Sequence, residues 1–105
     1  MSAPPQAGQG AFPPSLLRQA EEVLQLARQQ GLVVASAESC TGGLVAACLS
    51  EIAGASDVLA CGFVVYSNAA KQRLLGVPGG LVRQAGAVSR EVALAMAECL
   101  SLIHI

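Results

Sequence analysis

Residues 32–44 read LVVASAESCTGGL, and this stretch decides the fold class. Its first part, residues 32–37, is apolar or small and partly β-branched, as in a strand that is buried on both faces. A turn with two glycines follows over residues 38–43, and an apolar helix is predicted from about residue 44 to 52. Because a strand that leads through such a turn into a helix is typical of α/β proteins, we predict an α/β fold.

The elements on either side fit this class. A helix with one apolar stripe is predicted over residues 16–30, with Ser15 as its cap and Gly31 in the left-handed position after it. A second strand is predicted over residues 58–66, where β-branched and aromatic residues are frequent. The chain therefore alternates helices with short strands.

The second half of the chain is predicted to be mostly helical. Ser67 or Asn68 is suited to cap a short helix that runs to residue 75, and one further helical turn is predicted over residues 81–84. Ser89 is expected to cap the last helix, which has a single apolar stripe. The residues of this stripe are Val92, Ala95, Met96, Cys99, Leu100 and Ile103.

Composition limits the classes of function. The 105 residues are 53% hydrophobic and 12% charged, with a net charge of −1. This length fits one domain. The hydrophobic content excludes disorder for most of the chain. Because basic residues do not outnumber acidic ones, a nucleic-acid partner is not expected. No stretch reaches the roughly 18–20 apolar residues of a membrane span, and no signal peptide is evident. We expect a cytoplasmic protein without a membrane partner.

Residues 1–14 differ from the remainder. They hold four of the five prolines and no charged residue, which predicts a disordered tail. The four cysteines, at positions 40, 48, 61 and 99, form no CxxC pair, and the one histidine is His104. We therefore expect neither a metal site nor a disulfide framework. We predict that the thiols are small buried side chains, with Cys40 as the exception because it lies in the turn after the first strand.

The turn after the first predicted strand is the place best suited to chemistry. It puts Ser39 at the carboxyl end of the sheet, where ligands bind in open α/β folds. Main-chain N–H groups around Thr41, Gly42 and Gly43 are expected to be unpaired, and such groups bind an anion or stabilise an oxyanion. The plainer alternative is that Ser39 and Thr41 cap the helix while the glycines make a tight turn.

A serine nucleophile needs a base, and the chain offers few candidates. Lys71 is its only lysine, and a desolvated lysine can lose its proton whereas arginine effectively cannot. Tyr66 could relay a proton or orient this lysine. The alternatives are a solvated helix lysine and a tyrosine that only packs. Ser67 competes with Ser39 as the nucleophile, but Ser67 is better placed to cap a helix.

Three blocks of sequence resemble one known family. Residues 37–43, AESCTGG, resemble the signature of the C-terminal domain of the competence/damage-inducible protein CinA. Residues 62–71, GFVVYSNAAK, resemble its second block, and residues 74–77 together with 86–93 resemble its third. The blocks stand in the family's order and cover about residues 15–99.

The resemblance implies an enzyme of pyridine-nucleotide salvage. Its members are nicotinamide-nucleotide amidases, which convert nicotinamide mononucleotide and water to nicotinic acid mononucleotide and ammonia without a metal or cofactor. Carried onto this chain, the resemblance implies Ser39 as the nucleophile, Lys71 as the base and Tyr66 as an assisting residue. The implied substrate-binding residues are Glu38, Cys40, Thr41, Gly42, Gly43 and Asn68. The implied fold is a three-layer α/β/α domain that forms homo-oligomers.

The chain also departs from the family pattern. The family domain has a second half with further strands, a glycine-rich loop and a substrate-binding arginine, and residues 100–105 do not resemble its helix. We therefore expect an incomplete domain over residues 15–105, ended by a truncated reading frame. The alternatives to an amidase are an inactive remnant that binds a phosphate-bearing ligand at residues 41–43, and a fragment that does not fold alone.

Overall fold

The computed structural model describes residues 12–104, and its elements follow the predicted order. In chain order they are α1 (Pro14–Gln29), β1 (Val34–Glu38), α2 (Leu44–Ser50), β2 (Leu59–Val64), α3 (Asn68–Ala70), α4 (Gly79–Ala85) and α5 (Arg90–His104). A 3₁₀ turn at Ala55–Asp57 precedes β2, and a π-helical turn at Lys71–Leu75 follows α3 directly. Most of the predicted tail, residues 1–11, lies outside the described residues.

The start of α1 corrects one prediction. Its N-cap is Pro13, with Pro14 in the first turn, and no side chain caps it. The prediction that Ser15 caps this helix is wrong because proline suits the first helical position, where its fixed φ is helical and an N–H is not needed. The predicted end of the helix is confirmed, since Gly31 has φ +67°.

Both serine caps in the second half are confirmed. The N–H of Ala70 donates to Ser67 Oγ at 3.0 Å, and the N–H of Val92 donates to Ser89 Oγ at 3.2 Å. A cap of this kind satisfies one of the N–H groups that have no partner within the helix. Ser67 is thereby engaged at the start of α3, as expected for a cap.

The strands β1 and β2 pair in parallel. The N–H of Val34 donates to the carbonyl of Val58, and the N–H of Val65 donates to the carbonyl of Glu38, both at 2.8 Å. The prediction that the first strand is buried on both faces is wrong for residues 34–37, which are only half-buried. The sheet has two strands within residues 12–104, so fewer neighbouring strands shield these side chains.

The contacts divide the chain into two compact units, and the division falls within both strands and within α2. The first unit comprises the chain up to Val34 together with Ala46–Ala60. Arg28 Nη2 donates to the carbonyl of Gly54 at 3.1 Å within it. The buried core of this unit consists of Ala20, Leu24, Ala27, Cys48, Leu49, Ala55 and Val58.

The second unit comprises Ala35–Val45 and the chain from Cys61 onward, and it holds every candidate site residue. Its buried core consists of Val65, Leu75, Val77, Val82, Val92, Met96 and Leu100. The last three residues of that core confirm the predicted stripe of α5. Burial of one such side chain stabilises the fold by about 1.5–3 kcal/mol.

The thiols are less buried than predicted. Cys48 is buried and Cys99 half-buried, but Cys40 and Cys61 are exposed, and all four are free. Cys40, the exception among the predicted thiols, lies in the exposed turn after β1, and the prediction of a buried thiol is wrong for Cys61 because it lies on a mostly exposed strand. None of the helices within residues 12–104 is long and apolar enough to cross a membrane.

Candidate active site

Ser39 and Lys71 meet beside the ends of the two strands. Ser39 directly follows β1, and Lys71 opens the π-helical turn seven residues after β2 ends. Parallel strands bring their carboxyl ends to one edge of the sheet, which is where both residues lie. Lys71 Nζ donates a hydrogen bond to Ser39 Oγ at 3.1 Å. The structure thus brings together the predicted nucleophile and the predicted base.

The carbonyl of Tyr66 completes a triangle with these two side chains. Lys71 Nζ donates to this carbonyl oxygen at 3.2 Å, and Ser39 Oγ donates to it at 3.5 Å. The phenol side chain of Tyr66 is 72% exposed. The atom of Tyr66 that contacts the pair is therefore a main-chain oxygen, and a role for the phenol stays a prediction.

Lys71 is a buried residue. Its side chain is 1% exposed, which rules out the alternative of a solvated helix lysine. The two hydrogen bonds that its Nζ donates go to a hydroxyl and a carbonyl, neither of which carries a charge. A lysine side chain is rarely this buried without a charged partner, so the burial of Lys71 is unusual for a lysine at the start of a helical turn.

Glu38 organises the turn that carries Ser39. Its side chain is 4% exposed, and its Oε1 accepts hydrogen bonds from Thr41 Oγ1 at 2.7 Å, the N–H of Gly43 at 3.1 Å and the N–H of Val45 at 2.9 Å. Hydrogen bonds to an ionised carboxylate are stronger than those between neutral groups. These three bonds hold the turn in one conformation.

This arrangement corrects the prediction of unpaired N–H groups in the turn. The N–H of Gly42 donates to the carbonyl of Ser39 at 3.0 Å, and Glu38 takes the N–H of Gly43. The Glu38 carboxylate thus occupies the position beside these N–H groups where a bound anion was expected. The N–H groups of Gly42 and Gly43 are thus both engaged within the chain itself.

The two glycines are required by the backbone of the turn. Gly42 has φ +61° and Gly43 has φ +111°, both in the region that side chains other than glycine rarely adopt. A Cβ on Gly42 would meet no atom within 4 Å, and one on Gly43 would lie 3.5 Å from Val64 Cγ2. Conformation, more than lack of space, therefore favours glycine at both positions.

A pocket of about 250 Å³ opens beside Ser39. One wall comes from the end of β1 and the turn, and the other from the start of α5 and the segment before it. Its lining residues are Ser36, Ala37, Glu38, Ser39, Cys40, Thr41, Val45, Ala87, Val88, Ser89, Ala93 and Met96. Glu38 is the one charged residue of this lining, and most of the remainder is apolar. Asn68 is an exposed residue at the start of α3 and is not part of the lining.

Sequence reasoning missed the second wall of this pocket. Met96 belongs to the stripe predicted to pack in the core, and Ala87 and Val88 carry no chemical signal of their own. No local pattern distinguishes an apolar residue that packs from one that also faces a pocket. Within residues 12–104, no group of three or more histidine, cysteine, aspartate or glutamate side chains is placed to hold a metal ion.

Comparisons with known proteins identify what the chain is similar to. A family model described as the CinA C-terminal domain matches residues 17–102. A CinA-like protein of Geobacter sulfurreducens is 53% identical over 75 residues, which are 71% of this chain and 18% of that protein. The crystal structure of competence/damage inducible protein CihA from Agrobacterium tumefaciens matches with a TM-score of 0.82 and 45% identity, over 89% of this chain and 57% of that one.

The competence damage-inducible protein A of Klebsiella pneumoniae has a similar fold, with a TM-score of 0.77 and 30% identity over 84% of this chain and 55% of that one. These likenesses confirm the predicted resemblance and the predicted α/β fold class. The chain spans less than a fifth of the length of the curated relatives it matches, and little more than half of the solved chains.

Proposed function

Because the chain belongs to the family of the CinA C-terminal domain, we propose that it carries the nucleophile and base of a nicotinamide-nucleotide amidase. The reaction converts nicotinamide mononucleotide and water to nicotinic acid mononucleotide and ammonia. The observation that carries the proposal is the hydrogen bond of 3.1 Å between Lys71 Nζ and Ser39 Oγ. A hydroxyl becomes an effective nucleophile when a base lies within hydrogen-bond reach.

Acylation begins when unprotonated Lys71 accepts the proton of Ser39 Oγ and this oxygen attacks the carboxamide carbon. The positively charged pyridinium ring of the substrate withdraws electrons and makes that carbon more electrophilic. The tetrahedral intermediate collapses as the Lys71 ammonium returns the proton to the departing nitrogen, which leaves as ammonia. The products of this half-reaction are an ester on Ser39 and an unprotonated lysine.

Deacylation repeats the same proton transfers with water as the nucleophile. Lys71 takes a proton from the attacking water, and the intermediate then expels Ser39 Oγ, which takes the proton back. The carbonyl of Tyr66 accepts a hydrogen bond from Nζ, and both forms of the lysine have an N–H to donate to it. This carbonyl keeps Nζ beside Ser39 through both half-reactions.

The negative charge on the tetrahedral intermediate needs hydrogen-bond donors. The N–H groups of Gly42 and Gly43 are engaged, so we assign this role to the N–H groups of Cys40 and Thr41. The N–H of the residue that follows a serine nucleophile has this role in other hydrolases. Removal of one such donor typically lowers the rate by about 10²–10³.

The lining of the pocket favours an aromatic cation over a phosphate. Its apolar residues suit a flat ring, and its one charged residue, Glu38, attracts a pyridinium and repels a phosphate group. The alternative of a phosphate-binding module at residues 41–43 is less favoured, because Glu38 already accepts the N–H of Gly43. We assign no residue of this chain to the phosphate of the substrate.

The experiment is a measurement of ammonia release from nicotinamide mononucleotide by this chain and by a version extended to the length of the solved relatives. We expect release by at least the extended version. Hydroxylamine, which attacks the ester on Ser39 in place of water, should divert part of the product to the hydroxamate of nicotinic acid mononucleotide. Ser39→Ala is the control and should release none. Turnover by Ser39→Ala at the normal rate would contradict the proposal.

A further inference from the structure

The hydroxyl of Ser36 is buried, and in the described part of the chain it finds no hydrogen-bond partner. The large majority of buried side-chain polar atoms in proteins are hydrogen-bonded, so an exception needs an explanation. A buried polar group without a partner destabilises the fold, because it has lost its hydrogen bonds to water and gained none in return. Ser36 therefore lowers stability where alanine would not.

Ser36 lies on the wall of the pocket beside Ser39. It stands two residues before Glu38 on β1, and because side chains alternate along a strand, the two point to the same side of the sheet. Both residues line the pocket. The buried hydroxyl is thus within the same cavity wall as the nucleophile.

The other hydroxyls of this wall already have partners. Thr41 Oγ1 donates to Glu38, and Ser39 Oγ accepts from Lys71. Ser89 Oγ donates to the carbonyl of Gly86 at 2.8 Å. Ser36 is the hydroxyl of this wall that remains available within the described residues. It can rotate about its Cα–Cβ bond toward the pocket without losing a hydrogen bond.

We propose that Ser36 is a specificity-determining residue whose hydroxyl turns into the pocket and hydrogen-bonds the carboxamide of the bound substrate. The inference rests on the proposed amidase function. A hydroxyl both donates and accepts, so it can bind either the oxygen or the amino group of a primary carboxamide. A site with an unpaired buried polar group discriminates against ligands that leave it unpaired. Ser36 then favours a ligand whose ring carries a carboxamide over a ligand whose ring lacks one.

The test compares Ser36→Ala with the unsubstituted sequence in three measurements, both in the version extended to the length of the solved relatives. We expect the KM for nicotinamide mononucleotide to rise about tenfold, while kcat stays within about twofold. In the inactive Ser39→Ala background, calorimetry should show about tenfold weaker binding of the same compound. The melting temperature should stay equal or rise, because the variant removes an unpaired buried hydroxyl.

Two further variants sharpen the test. Ser36→Thr keeps a hydroxyl and should bind more tightly than Ser36→Ala. Ser50→Ala is the matched control, because Ser50 is an exposed serine of the first unit whose Oγ donates to Ala47. It should leave both KM and affinity unchanged.

The outcomes separate this inference from the proposed function. Unchanged KM and affinity in Ser36→Ala, with normal turnover by the extended version without a substitution, overturn the role of Ser36 and leave the amidase proposal standing. A lower melting temperature with unchanged affinity shows a structural hydroxyl and also overturns it. If the extended version without a substitution neither hydrolyses nor binds the nucleotide, the amidase proposal fails, and the role of Ser36 fails with it.

Discussion

Lys71 Nζ lies 3.1 Å from Ser39 Oγ, although the two residues are 32 positions apart in the chain. Two local features produce this contact. Glu38 fixes the turn that carries Ser39, and the π-helical turn at Lys71–Leu75 holds the lysine within the core of the second unit. The lysine side chain is buried, so its amine is directed at the serine and at the Tyr66 carbonyl instead of at solvent.

Replacement of Lys71 by methionine tests the base. Methionine has an unbranched side chain of similar length that adapts to a buried site and needs no hydrogen-bond partner there. We expect ammonia release to fall by about 10²–10⁴, the usual contribution of a general base, while the melting temperature changes little.

Lys71→Arg is the matched control for charge. Arginine keeps a positive charge but does not give up its proton at ordinary pH, so this variant should also be inactive. Recovery of activity in Lys71→Arg would show that the positive charge, and not proton transfer, is what the reaction needs.

Glu38→Ala should destabilise the turn. The substitution removes the acceptor of three hydrogen bonds and leaves the N–H groups of Gly43 and Val45 without a partner. We expect the free energy of unfolding to fall by about 3 kcal/mol, measured by urea denaturation. Glu38→Gln keeps an acceptor oxygen and should lose less. Equal losses in the two variants would contradict the role assigned to these hydrogen bonds.

The sequence predicts the elements of this fold better than the atoms of the site. The strand before Ser39 and the caps Ser67 and Ser89 were predictable because alternation of strands with helices and capping chemistry are local properties. The single lysine and the family resemblance pointed to Lys71. The resemblance and the fold class are confirmed by the comparisons, while the roles of the site residues stay predictions.

Other parts of the site are not marked by any local pattern in the sequence. The carbonyl of Tyr66 is a main-chain atom that every residue possesses, so no sequence pattern marks it. The binding of substrate by Glu38 stays a prediction, and no sequence pattern shows that its Oε1 accepts hydrogen bonds from residues 41, 43 and 45. That arrangement depends on the three-dimensional path of residues 38–45. The second wall of the pocket depends in the same way on where α5 packs.

Alanine substitution at the turn glycines should be costly. Gly42 at φ +61° and Gly43 at φ +111° adopt conformations that disfavour a Cβ, and we expect Gly42→Ala to lower the free energy of unfolding by about 1–2 kcal/mol. Gly80 is the matched control, because it lies within α4 without a positive φ and a Cβ there would meet no atom closer than 3.8 Å. Gly80→Ala should raise stability by about 0.5–1 kcal/mol. A neutral Gly42→Ala would contradict the conformation of the turn.

Substitution of the two neighbouring leucines tests which side chains the π-helical turn directs into the core. Leu75 is 0% exposed and belongs to the core of the second unit, whereas Leu74 is 52% exposed. We expect Leu75→Ala to lower the free energy of unfolding by about 2–5 kcal/mol and Leu74→Ala by less than about 1 kcal/mol, measured by urea denaturation. Lys71 lies four residues before Leu75 and is buried by the same turn. If the two variants lose equal stability, the turn does not direct Leu75 and Lys71 inward, and the contact of Lys71 with Ser39 loses its structural basis.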